Sequence, residues 1–216
     1  MTRSPLLVTR LPYGSRIAFC AVLLAAVLLS GCGERVPRVP AVGPNEVIVA
    51  FGDSLTYGTG AAESESYPEV LSQLISRKVV RAGVPGEVTA QGLARLPQVL
   101  EEHRPALVIV CLGGNDMLRK MDEAQTRGNL HRIIRTLRDQ GISVVLVGVP
   151  RPALLTSAAP FYGELAKEYR IPYEGKILNH IMHQLDLKSD PIHPNAKGYR
   201  RMAEAIADLL REAGAI

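Results

Sequence analysis

Ala106-Leu107-Val108-Ile109-Val110-Cys111-Leu112 is an uninterrupted apolar run of strand length, and it decides the fold. A strand with no polar face must be covered on both sides, which is the habit of buried parallel sheets. Val47–Phe51 (VIVAF) upstream and Ile142–Val149 downstream have the same character, and shorter strands are expected at Val79–Arg81 and near Ile171–Tyr173. Amphipathic stretches separate these runs. Gln91–His103 places Leu93, Leu96, Val99 and Leu100 at helical spacing, and Glu123–Gln140 aligns Leu130, Ile133, Ile134 and Leu137 on one face. Gly141 suits the C-cap of that second helix. Pro68–Ser76, Phe161–Arg170, Ile177–Leu185 and Asn195–Glu212 complete the helical set, with Pro68 and Pro194 at helix starts. Strict alternation of strand and helix predicts an α/β fold: a three-layer α/β/α sandwich on a mostly parallel five-stranded sheet. Such sheets bind ligands beyond the carboxyl ends of their strands. Chemistry is therefore expected in the loops after Phe51, Arg81 and Leu112.

The first 45 residues read differently. Arg3, Arg10 and Arg16 precede the apolar run 17–29 (IAFCAVLLAAVLL), and no acid occurs before Glu34. A charged start, an apolar middle and small residues before a cleavage point describe a secretory signal. The run is short of the roughly 20 apolar residues that span a bilayer. Leu29-Ser30-Gly31-Cys32 resembles the lipobox of bacterial lipoproteins, which implies a signal peptide over 1–31 and lipidation of Cys32. Simple secretion and an uncleaved anchor are the alternatives. By the same resemblance, Gly33 in place of Asp leans toward the outer membrane, with the protein facing the periplasm. Residues 32–45, rich in Pro and Gly, are expected to form a flexible tether. Residues 46–216 then form one domain, long enough for a good core.

Removing 1–31 takes away three arginines and no acid, so the formal net charge falls from +4 to +1. That leaves no basic footprint for nucleic acid. Of the three cysteines, Cys20 leaves with the signal, Cys32 is the lipidation candidate, and Cys111 is left alone as a core thiol. No disulfide framework is available to the mature chain.

Four loops carry chemistry-bearing residues. Gly52-Asp53-Ser54-Leu55-Thr56-Tyr57-Gly58 follows the first strand, and a Ser leaving a strand end stands exposed at the sheet edge. Alone this is a weak signal, because turns are rich in Gly, Asp and Ser. Asp190-Pro191-Ile192-His193-Pro194-Asn195 precedes the last helix. A Ser nucleophile needs a general base, and a His base needs a carboxylate to fix its tautomer. Asp190, three positions before His193, can reach the ring through a turn. Gly113-Gly114-Asn115-Asp116 follows the third strand and offers an amide to a developing oxyanion. A plain turn suits Gly-Gly-Asn equally well. Gly83-Val84-Pro85-Gly86-Glu87 follows the second strand.

In these four motifs, in this order, the chain from Val47 to the final helix resembles the SGNH (GDSL) hydrolase family. The resemblance implies Ser54 as nucleophile, His193 as base and Asp190 as its partner. It implies an oxyanion hole from the N–H groups of Ser54 and Gly86 and the side chain of Asn115. The Gly86 loop departs from the family pattern, with Arg81, Pro85 and Val88 where Asn, Ser and Thr are usual. Gln91–Pro97 (QGLARLP) and Leu112–Arg119 (LGGNDMLR) look most like the bacterial thioesterase I, lysophospholipase and arylesterase branch.

The remaining candidates have plainer readings. Asp53 is expected to cap or brace its turn, Asp116 to cap a helix, and Tyr57 to pack near the acyl site. His103, His131, His180 and His183 match no family position. No carboxylate or Cys sits at ligand spacing beside His180 and His183, so no metal is implied. No nucleotide fingerprint appears, so no cofactor is implied.

Three functions remain open. The first is hydrolysis of acyl esters or thioesters, such as aryl esters or lysophospholipids. The second is deacetylation of cell-wall or other carbohydrate. The third is a non-catalytic, membrane-tethered binding role. Leu93, Leu96, Met117 and Leu118 lean toward an acyl-chain site unless they belong to the core, and the loops 117–126 and 151–160 are expected to set specificity.

Overall fold

The computed structural model describes residues 35–151 and 157–216. Five strands form one sheet: β1 (Val47–Gly52), β2 (Lys78–Gly83), β3 (Leu107–Cys111), β4 (Ser143–Val147) and β5 (Tyr173–Glu174). Their order is β2-β1-β3-β4-β5, and every pair is parallel. Consecutive parallel strands require crossovers, and helices supply them. Eight α-helices occur among the described residues: α1 (Ser54–Tyr57), α2 (Tyr67–Ile75), α3 (Thr89–His103), α4 (Gly114–Leu118), α5 (Glu123–Asp139), α6 (Pro160–Tyr169), α7 (Ile177–His183) and α8 (Ala196–Glu212). The three-layer α/β architecture expected from the alternation is present, and the order 2-1-3-4-5 is the flavodoxin-like winding.

The three apolar runs are the sheet's centre. Every residue of β3 and β4 is buried, as are Ile48–Phe51 of β1. Val79–Arg81 grows to Lys78–Gly83 because β1 offers a full edge, pairing Val47 with Lys78 through to Gly52 with Gly83. The expected strand near 171–173 shifts to Tyr173–Glu174, because only these two residues reach β4, opposite Leu146 and Val147. α5 begins at Asp122, whose side chain accepts from Ala124 N, and ends against Gly141, which has a φ of +75°. α8 begins at Asn195, whose side chain accepts from Gly198 N.

Two short helices, α1 and α4, were expected only as loops. Both start directly at a strand end, so the Ser and Asn that follow β1 and β3 stand at helix starts.

The tether expected over 32–45 is corrected over its described part. Val36, Val39 and Val42 pack on the core, and Val42 is 4% exposed. The N–H of Val39 donates to Ala213 O at 3.0 Å, and that of Val42 to Ala215 O at 2.8 Å. Valines at every third position turn one side of an extended chain to the core, and the end of α8 offers free carbonyls. The compact unit accordingly runs from Val36 to Ile216, ten residues earlier than expected. The signal 1–31 and Cys32 lie outside the described residues. Among the described residues no helix is long and apolar enough to cross a membrane.

Candidate active site

The winding reverses between β1 and β3, where crossovers leave on opposite sides and a crevice opens at the strand ends. Gly52 makes the approach possible. A Cβ there would lie 2.1 Å from Cys111 O and 2.4 Å from Thr56 Oγ1, so no larger residue fits between the strand ends. The chain then turns at Asp53, whose carboxylate accepts from Leu55 N at 3.0 Å, and Ser54 opens α1 half-buried at the crevice.

His193 reaches Ser54 from the far end of the chain. Its Nε2 lies 3.0 Å from Ser54 Oγ, and its Nδ1 lies 2.7 Å from Asp190 Oδ2. The other carboxylate oxygen, Asp190 Oδ1, accepts from Ile192 N and His193 N, both at 2.8 Å. The loop itself therefore fixes Asp190. Partial burial pushes the Asp190 carboxyl up, but the His193 hydrogen bond and the two backbone donors outweigh it and hold the group below the usual carboxylate range. An ionised Asp190 holds the Nδ1 proton on His193 and leaves Nε2 facing Ser54 as an acceptor. That geometry lets His193 take the Ser54 proton.

The loop after β3 brings Asn115 to the same place. Gly113 has a φ of +112°, and a Cβ there would meet the Tyr162 hydroxyl at 2.6 Å. That hydroxyl donates to Leu112 O at 2.9 Å and pins the strand end. Asn115 Nδ2 donates to Glu87 O at 3.0 Å and contacts Asp53 Oδ2 at 3.3 Å. The first bond ties Asn115 to the turn after β2, closed by Glu87 N on Val84 O at 3.1 Å. Gly86 sits in that turn with a φ of +79°. Its carbonyl accepts from Arg119 at 2.8 Å, and its N–H has no acceptor among the described residues. Of the residues that depart from the family pattern, Arg81 has other partners. Arg81 stacks over Tyr57, donates to Tyr57 O and pairs with Glu63, while Pro85 is exposed.

Ser54, Asn115 and His193 line one cleft, open to solvent. Its remaining walls are mostly apolar, from Leu55, Leu118, Val149, Leu178, Met182 and Ile192. Of the expected acyl-site residues, only Leu118 is among them. Leu96 is fully buried core, Leu93 packs beside it, and Met117 lines a neighbouring depression with Met121. Tyr57 lies against Arg81 and outside the cleft lining, which corrects the expectation for it. Of the specificity loop expected at 151–160, no described residue lines the cleft, whose edge is formed by the preceding Pro150; residues 152–156 lie outside the described residues. Sequence reasoning missed Leu178 and Met182. They lie four apart on α7, a spacing that the run ILNHIMH displays but that core packing explains equally well.

Asp116 is also corrected. The N-cap of α4 is Gly113, and the Asp116 carboxylate instead crosses to the start of α3, accepting from Thr89 N at 2.9 Å and from the Thr89 hydroxyl. It therefore caps a helix 27 residues away in sequence. Cys111 is fully buried and its thiol is pushed well up by burial, with the charge of Asp53 adding to it.

A doubly wound parallel sheet with a Ser–His–Asp hydrogen-bond chain at its switch point defines a class, the α/β proteins built like serine hydrolases. Comparison with known proteins narrows it: the chain belongs to the GDSL-like Lipase/Acylhydrolase family, whose sequence profile matches residues 50–201. It is 30% identical over 201 residues to Esterase TesA of Pseudomonas aeruginosa, covering 87% of this chain and 98% of that one. It is 32% identical over 178 residues to the Thioesterase 1/protease 1/lysophospholipase L1 of Escherichia coli K12, covering 77% and 84%. Among solved structures, that of TesA superimposes with a TM-score of 0.70 at 28% identity, over 78% of this chain and 99% of that one. The SGNH-hydrolase family esterase AlinE4 gives 0.63 at 34% identity, over 80% and 98%.

Proposed function

We propose that this protein hydrolyses carboxylic acyl esters, and thioesters by the same route, through Ser54, His193 and Asp190. The observation that carries the reading is the unbroken hydrogen-bond chain from Ser54 Oγ through His193 to Asp190, opening on an apolar cleft. His193 Nε2 takes the hydroxyl proton as Ser54 Oγ attacks the acyl carbon. The carbonyl electron pair moves onto oxygen, where the N–H groups of Ser54 and Gly86 and the Asn115 amide receive it. The tetrahedral adduct collapses, the C–O or C–S bond to the leaving group breaks, and His193 returns the proton to the departing alcohol or thiol. Water, deprotonated by His193, then attacks the acyl-Ser54 ester and frees the acid.

The walls of the cleft favour an acyl chain over a sugar. A carbohydrate site would need polar side chains to match hydroxyl groups, and beyond the reacting residues the walls here are chiefly aliphatic. Aryl esters and lysophospholipids are therefore the substrate classes we expect, reached from a periplasm-facing position through lipidated Cys32. Cys32→Ala should move the protein from the membrane to the soluble fraction; unchanged membrane retention would refute the anchor. An acyl-length series on purified protein tests the chemistry. Ser54→Ala should lose at least about a thousand-fold in kcat, and octanoyl esters should be preferred to acetyl. A Ser54→Ala variant with wild-type turnover refutes the mechanism, and an acetyl preference refutes the acyl-chain reading.

A further inference from the structure

The proposed reaction gives Asp53 no task, yet its carboxyl is the best enclosed acid at the site. It is 1% exposed, next to the nucleophile, and it forms part of the cleft floor. Oδ1 accepts from Leu55 N at 3.0 Å, and Oδ2 faces the Asn115 amide at 3.3 Å. That amide has two protons. One is engaged by Glu87 O at 3.0 Å. The other is shared between Asp53 Oδ2 and whatever occupies the cleft.

The groups facing Asp53 make a charge there costly. Glu87 from the loop after β2 and Asp116 from α4 are both acids, while Tyr67, Tyr162, Tyr199 and Cys111 pack around it as neutral groups. His193 lies across Ser54. No cation bonds to Asp53 among the described residues. Arg95 is held by both oxygens of Glu87 at 2.8 and 2.7 Å. Burial, opposed by the Leu55 hydrogen bond and reinforced by Glu87 and Asp116, pushes the Asp53 carboxyl up to about 7.

We propose that Asp53 is a positioning residue of the oxyanion site: its Oδ2 fixes the Asn115 amide, and its charge state gates that site. The proposal rests on the oxyanion role given to Asn115 above. With a neutral Asp53, Oδ2 is only a weak acceptor: it keeps the Asn115 amide aligned but yields its N–H to the developing oxyanion. With an ionised Asp53, the carboxylate draws the same N–H to itself and sets a second negative charge beside the first. The ground-state carbonyl carries little charge, so the effect falls on kcat and spares KM. An alkaline limb in the pH profile follows, and it belongs to Asp53.

The test is the pH dependence of kcat and KM for p-nitrophenyl butyrate, followed by pH-stat, in wild type, Asp53→Asn, Glu87→Gln and Ser54→Ala. Wild-type kcat should fall several-fold above about pH 7 with little change in KM. Asp53→Asn cannot ionise and offers Asn115 an NH2 group in place of an acceptor. It should lose the alkaline limb and lie about ten-fold lower at its plateau. Glu87→Gln removes an acid facing Asp53 and should move the alkaline limb to lower pH. A flat wild-type profile, an unchanged limb in Asp53→Asn, or an unmoved limb in Glu87→Gln would each overturn the proposal. If Asp53→Asn does not fold, the direction of the Glu87→Gln shift decides. Ser54→Ala separates the two readings. If it stays active, the nucleophile assignment fails; if it is dead while Asp53→Asn keeps the limb, only the present proposal fails.

Discussion

Replacing Asn115 with Ala separates transition-state stabilisation from binding. Asn115 is half-buried at the cleft, and its Nδ2 bonds Glu87 O at 3.0 Å and Asp53 Oδ2 at 3.3 Å. Two costs follow. Removing one preorganised oxyanion donor costs about 3–4 kcal/mol of barrier, or about 10²–10³ in kcat. Leaving the carbonyl of Glu87 without that partner costs about 1 kcal/mol of stability, since Glu87 is 5% exposed and water reaches it poorly. For a domain of this size, that is a melting shift of about 2–4 °C. The Asp53 contact is long and adds less. The assay is steady-state hydrolysis of p-nitrophenyl butyrate beside thermal unfolding. The expected result is a kcat down by about 10²–10³, a KM within about two-fold because the ground-state carbonyl is nearly uncharged, and a small melting shift. A folded variant with kcat within about three-fold of wild type, or a loss carried wholly by KM, would refute the oxyanion assignment.

Asp190→Asn should lose about 10⁴ in kcat, because an amide no longer holds the Nδ1 proton on His193; activity near wild type would show that Asp190 does not orient the base. Asp53 also predicts a stability effect with a definite sign. Its carboxyl titrates at about 7 in the fold against an ordinary value of 3.8, so its contribution is complete below 3.8 and lost as pH rises to about 7. The stability of wild type relative to Asp53→Asn should therefore fall by about 2–3 kcal/mol between about pH 5 and about pH 8 in urea unfolding; a constant difference contradicts it. Gly52→Ala should leave little folded protein, because its Cβ would meet the Cys111 carbonyl at 2.1 Å; a soluble, active variant would show that the strand ends can part. Met182→Trp narrows the cleft and should lower kcat/KM for octanoyl esters more than for acetyl, while an equal loss would place the acyl chain elsewhere.

The sheet was legible because a buried parallel strand must be apolar on both faces, and Ala106–Leu112 has no other use in a compact chain. The residues of the Ser54–His193–Asp190 chain were legible for a different reason. Each follows a strand end or precedes the last helix, where this winding brings loops together. What escaped was set by partners distant in sequence. Asp116 read as a helix cap, but the helix it caps is α3, far away in sequence, because folding brings Thr89 beside it. The 36–42 segment read as part of a tether from its two prolines and the glycines on either side, Gly33 and Gly43. Its valines gain a core only once the end of α8 is in place. Leu178 and Met182 could not be told from core by spacing, since one helix face serves both the interior and the cleft. Asp53 read as a turn brace, which it is. Its burial between Glu87 and Asp116 comes from loops that meet only in the fold.

The claim that Ser54 is the nucleophile can be put to one direct measurement: intact-mass and peptide analysis after treatment with a fluorophosphonate ester. The account predicts a single covalent adduct on Ser54, absent in Ser54→Ala and formed far more slowly in His193→Ala. No adduct on the folded protein, or an adduct on another residue, would contradict it.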